Sequence, residues 1–163
     1  MMPFKFDGLQ TAPLVGRFDG YASLFGVPDL AQDVVMAGAF KDSLAARGGA
    51  GGIRLLWQHD PREPLGVFNS MAEDARGLYV RGALNLRVGR GQELFALLQQ
   101  GAVAGLSIGY KALRARRDMR TGQRHLLQVD LWEVSLVTFP LLPAARVLRV
   151  ADRPASGQEA VSR

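Results

Sequence analysis

Ser107 lies in an apolar segment, residues 101–110, with Gly105 and Gly109 two positions away on either side. Glycine has no Cβ, so another backbone or a substrate can approach closely at such positions. A hydroxyl between them is a candidate nucleophile, which needs a base and a group that orients the base. The spacing therefore favours nucleophilic catalysis by a serine.

The chain contains two histidines, His59 and His125, and histidine is the usual base because it titrates near neutral pH. A strand is predicted over residues 53–59, and alternation places His59 on the same face as Trp57. This position suits an imidazole at the edge of a cleft. A histidine at the end of a strand also often does no more than pack against its neighbours.

Glu133 is the candidate that would orient the base. It lies in the most strand-like run of the sequence, residues 131–139, and alternation puts Ser135 on its face. Both faces of this run are largely apolar, so the carboxylate needs a partner, either a histidine N–H or one of the arginines. Asp60 and Asp130 are rival orienters, although Asp60 follows His59 directly and adjacent strand residues point to opposite faces.

Residues 105–109 also match G-x-S-x-G, the nucleophile elbow of α/β-hydrolases. The elbow requires a strand before the serine and a helix after it. Here the best predicted helix, residues 92–100, precedes Ser107, and the residues after it read as a strand. The match therefore does not indicate that fold.

Length and composition predict one globular domain of 163 residues with a substantial core. There is no cysteine, which excludes disulfides, thiolate metal sites and cysteine nucleophiles and fits an intracellular protein. No run of eighteen apolar residues and no hydrophobic stretch near the N-terminus is present, so neither a transmembrane helix nor a secretory signal is expected.

Much of the net charge of +5 comes from one segment, residues 114–124. Its arginines are Arg114, Arg116, Arg117, Arg120 and Arg124. Such a patch indicates either nucleic acid or an acidic partner, whereas the simpler interpretation is a solvated hairpin tip. No interleaved aromatic residues provide a stacking platform, so nucleic acid is not expected to be the primary partner.

Many short apolar runs broken by glycine and proline predict a β-barrel or α+β domain, mainly β and mostly antiparallel. Helices are predicted over residues 38–47 and 92–100, the second with an apolar stripe that includes Leu94 and Leu98. A short strand is predicted over residues 65–68 and a polar turn over residues 71–76.

Three segments are expected along the chain. Residues 1–13 are predicted to be an N-terminal arm and residues 14–149 the folded domain. Residues 150–163 consist mainly of small, charged and polar residues, which predicts a disordered C-terminal tail.

The sequence resembles the prohead proteases, which are the capsid maturation proteases of tailed phages and phage-derived particles. The resemblance covers about residues 14–147 and rests on six blocks in the right order. The blocks are FDGYASLFG at 18–26, GAF at 38–40, LLWQHD at 55–60 with LG at 65–66, GLYV at 77–80, GLSIGY at 105–110 and LWEVSLVTFP at 131–140.

The resemblance implies a serine endopeptidase distantly related to the herpesvirus assemblins, with an antiparallel β-barrel flanked by a few helices. It implies Ser107 as nucleophile, His59 as base and Glu133 as the third catalytic member. Assemblins use a second histidine in the third place, so His125 and the aspartates stay open as alternatives. The implied acyl transfer needs no metal or cofactor.

The resemblance also implies partners. The substrates would be scaffolding protein or the scaffold-like N-terminal segment of the major capsid protein, together with the protease itself. Cleavage would occur inside the assembling procapsid in the host bacterial cytoplasm. A homodimer is expected only by analogy with assemblins, which dimerisation activates. The alternatives are a catalytically inactive capsid assembly or scaffolding factor and, less favoured, a nucleic-acid-binding module.

Overall fold

The computed structural model describes residues 14–154, so the predicted N-terminal arm, residues 1–13, lies outside the described residues. A 3-10 turn at Ala50–Gly52 precedes the third strand. The other elements follow in the order β1 (Leu14–Leu24), β2 (Asp33–Val35), α1 (Lys41–Ala46), β3 (Arg54–Trp57), β4 (Asp60–Glu73), β5 (Gly77–Asn85), α2 (Gly89–Gln100), β6 (Gly105–Arg117), β7 (Arg124–Val137) and β8 (Val147–Pro154).

The strands form one curled sheet in which β7 pairs with three other strands. The order is β7-β3-β4-β5-β1-β8, and β6 and β2 also pair with β7. Most neighbours are antiparallel, which agrees with the predicted mainly β class. The two parallel pairings, β2 with β7 and β3 with β7, were not predicted, because they join segments far apart in sequence that no turn signal connects.

The two edges of the curled sheet approach each other where β6 begins. Leu106 N–H donates to Ala145 O at 3.0 Å, and Val147 N–H donates to Ala104 O at 2.9 Å. On its other side the same segment bonds β1, because Arg146 O accepts a backbone hydrogen bond from that strand. The chain that leads into β8 thus ties β6 to β1 at this end of the sheet.

One hydrophobic core fills the curl. Leu131 and Leu136 of β7 are fully buried, and each such leucine contributes roughly 1.5–3 kcal/mol. Helix α2 covers the core with Leu94, Phe95 and Leu98, close to the predicted stripe. The described residues include neither a helix long and apolar enough to cross a membrane nor a group of three or more His, Cys, Asp or Glu placed to hold a metal ion.

Two strand boundaries differ from the predictions. β4 runs from Asp60 to Glu73, so the start of the predicted polar turn, residues 71–76, belongs to a strand. β8 occupies residues 150–154, which composition assigned to a disordered tail, and Val150 lies opposite Phe18 of β1. β8 is at the edge of the sheet, where polar and charged residues are common, and its composition therefore resembles that of a disordered segment. The rest of that tail, residues 155–163, lies outside the described residues.

Candidate active site

Ser107 lies on β6 opposite Ser135 of β7, and only 8% of its surface is exposed. In an antiparallel pair, residues directly opposite each other project from the same face. Ser107 and Ser135 therefore share a face, and alternation adds Glu133 of β7 to it. The register of β6 and β7 thus brings a hydroxyl, a second hydroxyl and a carboxylate together.

The two glycines beside Ser107 leave room for β7 and the chain that follows it. A Cβ added at Gly105 would lie 2.7 Å from both Pro140 Cδ and Val137 O. A Cβ added at Gly109 would lie 2.7 Å from Glu133 Cδ. The close approach that the glycine spacing predicted is therefore present, and protein atoms occupy the space.

The prediction that His59 lies at the end of a strand is wrong: it lies in a two-residue turn between β3 and β4. Trp57 pairs with Asp60, and Gln58 and His59 between them have φ angles of 52° and 59°. Turns with two positive φ angles usually carry Asn-Gly or Asp-Gly. Gln-His gives no such signal, so the predicted strand, residues 53–59, ends two residues later than β3 does.

Hydrogen bonds to β7 and the residue after it hold this turn. Gln58 N–H donates to Leu136 O at 3.0 Å, and its Nε2 donates to Thr138 Oγ1 at 3.0 Å. His59 N–H donates to Ser135 Oγ at 3.0 Å. A non-glycine residue in the left-handed region costs about 1–3 kcal/mol, so these bonds offset a conformation that the turn would otherwise disfavour.

The turn places the imidazole between the hydroxyl and the carboxylate. His59 Nε2 lies 3.0 Å from Ser107 Oγ, and His59 Nδ1 makes a hydrogen bond to Glu133 Oε1. The Glu133 side chain is 12% exposed and the His59 side chain 42%. A hydroxyl bonded to an imidazole whose other nitrogen faces a carboxylate is an arrangement that can activate the hydroxyl as a nucleophile.

The two aspartates that were rival orienters bind other partners. Asp60 accepts hydrogen bonds from the Arg62 guanidinium at 3.0 and 2.9 Å, which lower the pKa of Asp60 to about 2. Asp130 accepts hydrogen bonds from Trp132 Nε1 and from Arg47, and these bonds lower its pKa. The carboxylate that contacts His59 is that of Glu133.

His125 lies far from this cluster. It is near the start of β7, opposite Arg116 of β6 and Val34 of β2, whereas Glu133 and Ser135 are near the other end of β7. Its buried Nδ1 has no hydrogen-bond partner in the described part of the chain. The structure therefore does not bring the second histidine to Ser107.

The arginine-rich segment forms the outer part of the β6–β7 hairpin, as predicted, at the opposite end from Ser107. Two of its arginines bind within the chain. Arg117 donates to Gly122 O at 2.9 Å, and Arg124 forms a salt bridge with Asp33. The exposed arginines project from the hairpin and do not reach the cluster around His59.

A narrow cavity of about 30 Å³ opens beside Ser107. Val27 and Leu142 line its apolar side, and Asp33 and Tyr110 line its polar side. Tyr110 donates to Asp33 Oδ2 at 3.2 Å, and burial together with this carboxylate raises the pKa of Tyr110 to about 12. Tyr110 is therefore a fixed donor at neutral pH.

Sequence reasoning did not predict a role for Ser135, Gln58 or Thr138. The one available signal was alternation in β7, which put Ser135 on the face of Glu133. The contacts of Ser135 with His59 depend on the parallel pairing of β3 with β7, which the sequence does not indicate.

Known proteins are similar to this chain in sequence and in fold. The prohead protease of Enterobacteria phage HK97 is 35% identical over 139 residues, which are 84% of this chain and 59% of that protein. The chain thus spans less than two thirds of that relative's length.

Two solved structures share the fold. The bacteriophage T4 capsid assembly protease superposes with a TM-score of 0.62 at 14% identity, over 74% of this chain and 80% of that one. The KSHV protease in complex with a hexapeptide phosphonate inhibitor superposes with a TM-score of 0.56 at 13% identity, over 83% and 64%. KSHV is a herpesvirus, so the predicted assemblin-like fold is confirmed. The sequence matches the family described as Caudovirus prohead serine protease over residues 9–158, and the chain belongs to this family.

Proposed function

We propose that this chain is a serine endopeptidase of capsid maturation, with Ser107 as nucleophile, His59 as general base and Glu133 as orienting carboxylate. The observation that carries the proposal is the continuous contact from Ser107 Oγ through the His59 imidazole to Glu133. Family membership supports the reaction class. The names of the relatives, a prohead protease and a capsid assembly protease, support the biological setting.

The first step is acylation of the serine. Ser107 Oγ attacks the carbonyl carbon of the scissile peptide, and His59 Nε2 accepts the Oγ proton. Glu133 holds the ring through Nδ1 and stabilises the imidazolium that forms. Backbone N–H groups would stabilise the oxyanion of the tetrahedral intermediate. When the C–N bond breaks, His59 returns the proton to the leaving amine.

The second step is hydrolysis of the acyl-enzyme. A water molecule attacks the ester carbonyl and gives a proton to His59 Nε2. The ester C–O bond then breaks, the carboxylic acid product leaves, and the proton returns to Ser107 Oγ. The 42% exposure of the His59 side chain leaves one side of the imidazole open to water and substrate.

The proposed substrates are scaffolding protein or the scaffold-like N-terminal segment of the major capsid protein, together with this chain itself. Only 8% of the surface of Ser107 is exposed, so we expect substrates that present an extended, accessible backbone rather than a folded surface. The proposed location is the interior of the assembling procapsid in the host bacterial cytoplasm. A homodimer is proposed by analogy alone.

Intact mass spectrometry tests this proposal against the inactive assembly factor. Wild type and Ser107→Ala are each incubated alone and with the major capsid protein of the same particle. The proposal predicts that only the wild type shortens the capsid protein or itself, and the fragment masses identify the bonds. Equal shortening by both proteins, or none by either at high concentration, would contradict it.

A further inference from the structure

One hydroxyl joins the turn that carries His59 to the carboxylate that faces it. Ser135 is completely buried. Its Oγ accepts a hydrogen bond from His59 N–H at 3.0 Å and donates one to Glu133 Oε2 at 2.6 Å. A serine hydroxyl has one donor proton and two acceptor lone pairs, so this side chain uses both capacities within the cluster.

The backbone of Ser135 is fixed on both sides. It lies opposite Ser107 of β6 in the antiparallel pair and opposite Leu56 of β3 in the parallel pair. These are the strand that carries the serine nucleophile and the strand that leads into the turn with His59. The hydroxyl therefore lies on β7, which pairs both with β6, the strand of Ser107, and with β3, the strand before His59.

The two bonds restrain the two groups that can most easily move. His59 has a positive φ, which is uncommon for a residue other than glycine. Glu133 contacts His59 through Oε1, and rotation of the carboxylate about its last side-chain bond would break this contact. The hydrogen bond from Ser135 to Oε2 restrains that rotation. A single hydroxyl thus fixes the backbone of the base and the rotation of the carboxylate.

We propose that Ser135 is a positioning residue of this site: its hydroxyl holds the His59 backbone and the Glu133 carboxylate in register, so that His59 Nε2 remains on Ser107 Oγ. This inference rests on the proposed function. Ser135 itself does not contact substrate, because it has no exposed surface.

The test measures phosphorylation of Ser107 by diisopropyl fluorophosphate in the full chain. In this reaction Oγ forms a bond to phosphorus, fluoride leaves, and His59 takes the Oγ proton, so the rate reports activation of the serine without a peptide substrate. Saturation kinetics separate binding of the reagent from the chemical step. Ser135→Ala should slow the chemical step about 10- to 100-fold with binding unchanged. Ser135→Thr, which keeps the hydroxyl, should recover most of the rate.

Ser43→Ala is the matched control. Ser43 is also buried, and its Oγ likewise accepts from a backbone N–H, that of Leu131, and donates to a carboxylate, that of Asp130. This control should lower the melting temperature and leave phosphorylation of Ser107 by the reagent unchanged. Ser135→Cys, close to serine in volume and weak in hydrogen bonding, repeats the test if the alanine variant does not fold.

The outcomes separate the two proposals. Wild-type rates in both Ser135→Ala and Ser135→Cys would overturn the positioning role and leave the protease intact. The same slowing in Ser43→Ala would also overturn it, because the effect would then be one of general stability. A wild-type protein that the reagent does not modify at Ser107 would overturn the proposed function and this inference with it.

Discussion

Gly109 of β6 faces Glu133 of β7, and a Cβ added at Gly109 would lie 2.7 Å from Glu133 Cδ and 2.8 Å from Cγ. The glycine is not required by its backbone conformation, since its φ is not positive. It is required by space, because the Glu133 side chain passes over it to reach His59. The second glycine of the G-x-S-x-G pattern thus leaves the volume that the carboxylate occupies.

Gly109→Ala should displace the Glu133 carboxylate from His59 Nδ1. We expect the rate at which diisopropyl fluorophosphate phosphorylates Ser107 to fall about 10- to 100-fold, since small misplacements in an active site cost about that much. A double-mutant cycle provides the control, because Gly109→Ala should cost nothing further once Glu133 is alanine. Additive effects in the cycle would contradict this interpretation.

Glu133→Gln preserves the volume of the side chain and removes its charge. We expect the rate of peptide cleavage to fall on the order of 10²- to 10⁴-fold, because an amide can neither stabilise the imidazolium nor enforce the required tautomer. The melting temperature measured alongside separates this loss from unfolding. Asp60→Asn is the control, because Asp60 binds Arg62 rather than His59, and its rate should match the wild type. Equal losses in the two variants would refute the role of Glu133.

Asp33 should make the fold sensitive to acid. The Arg124 guanidinium, which forms a salt bridge with Asp33, lowers the pKa of Asp33. A carboxyl whose pKa is lower in the folded state stabilises the fold above its unfolded pKa, about 3.9, and that stabilisation is lost as the pH falls through the folded pKa. Below about pH 4, the melting temperature of wild type should therefore fall more steeply than that of Asp33→Asn. Parallel curves would show that the ion pair contributes nothing.

The exposed arginines of the β6–β7 hairpin should not take part in the chemistry. Arg114→Ala/Arg116→Ala should leave phosphorylation of Ser107 by diisopropyl fluorophosphate unchanged, because this part of the hairpin lies at the other end of the strands from Ser107. Titration with duplex DNA at low and high salt tests the nucleic-acid alternative. Tight, salt-sensitive binding that this variant loses would favour that alternative.

Local patterns in the sequence predicted several elements that the structure contains. Alternation in β7 placed Glu133 and Ser135 on one face. Helical periodicity predicted the apolar stripe of α2, and Gly101 was predicted to stop this helix, which it caps. Of the three residues predicted for the site, His59 contacts both Ser107 and Glu133, while their catalytic roles stay predictions. Local patterns did not predict the pairing of strands that are far apart in sequence. The parallel pairing of β3 with β7 brings residues 54–57 beside residues 133–136, and no turn connects them.

The turn that carries His59 was missed for a different reason. Its sequence, Gln-His, is not one of the pairs that favour two positive φ angles, such as Asn-Gly. Hydrogen bonds to residues distant in sequence hold its conformation. The conformation of this turn depends on tertiary contacts, so neighbouring residues alone do not reveal it.

If His59 activates Ser107, diisopropyl fluorophosphate should modify Ser107 only while the imidazole is present, and peptide mapping after treatment measures this. The measurement compares wild type, Ser107→Ala and His59→Ala after the same exposure. We predict a single adduct on Ser107 in wild type, none in Ser107→Ala, and almost none in folded His59→Ala. An adduct on another residue, or equal modification of Ser107 with and without the imidazole, would contradict the account.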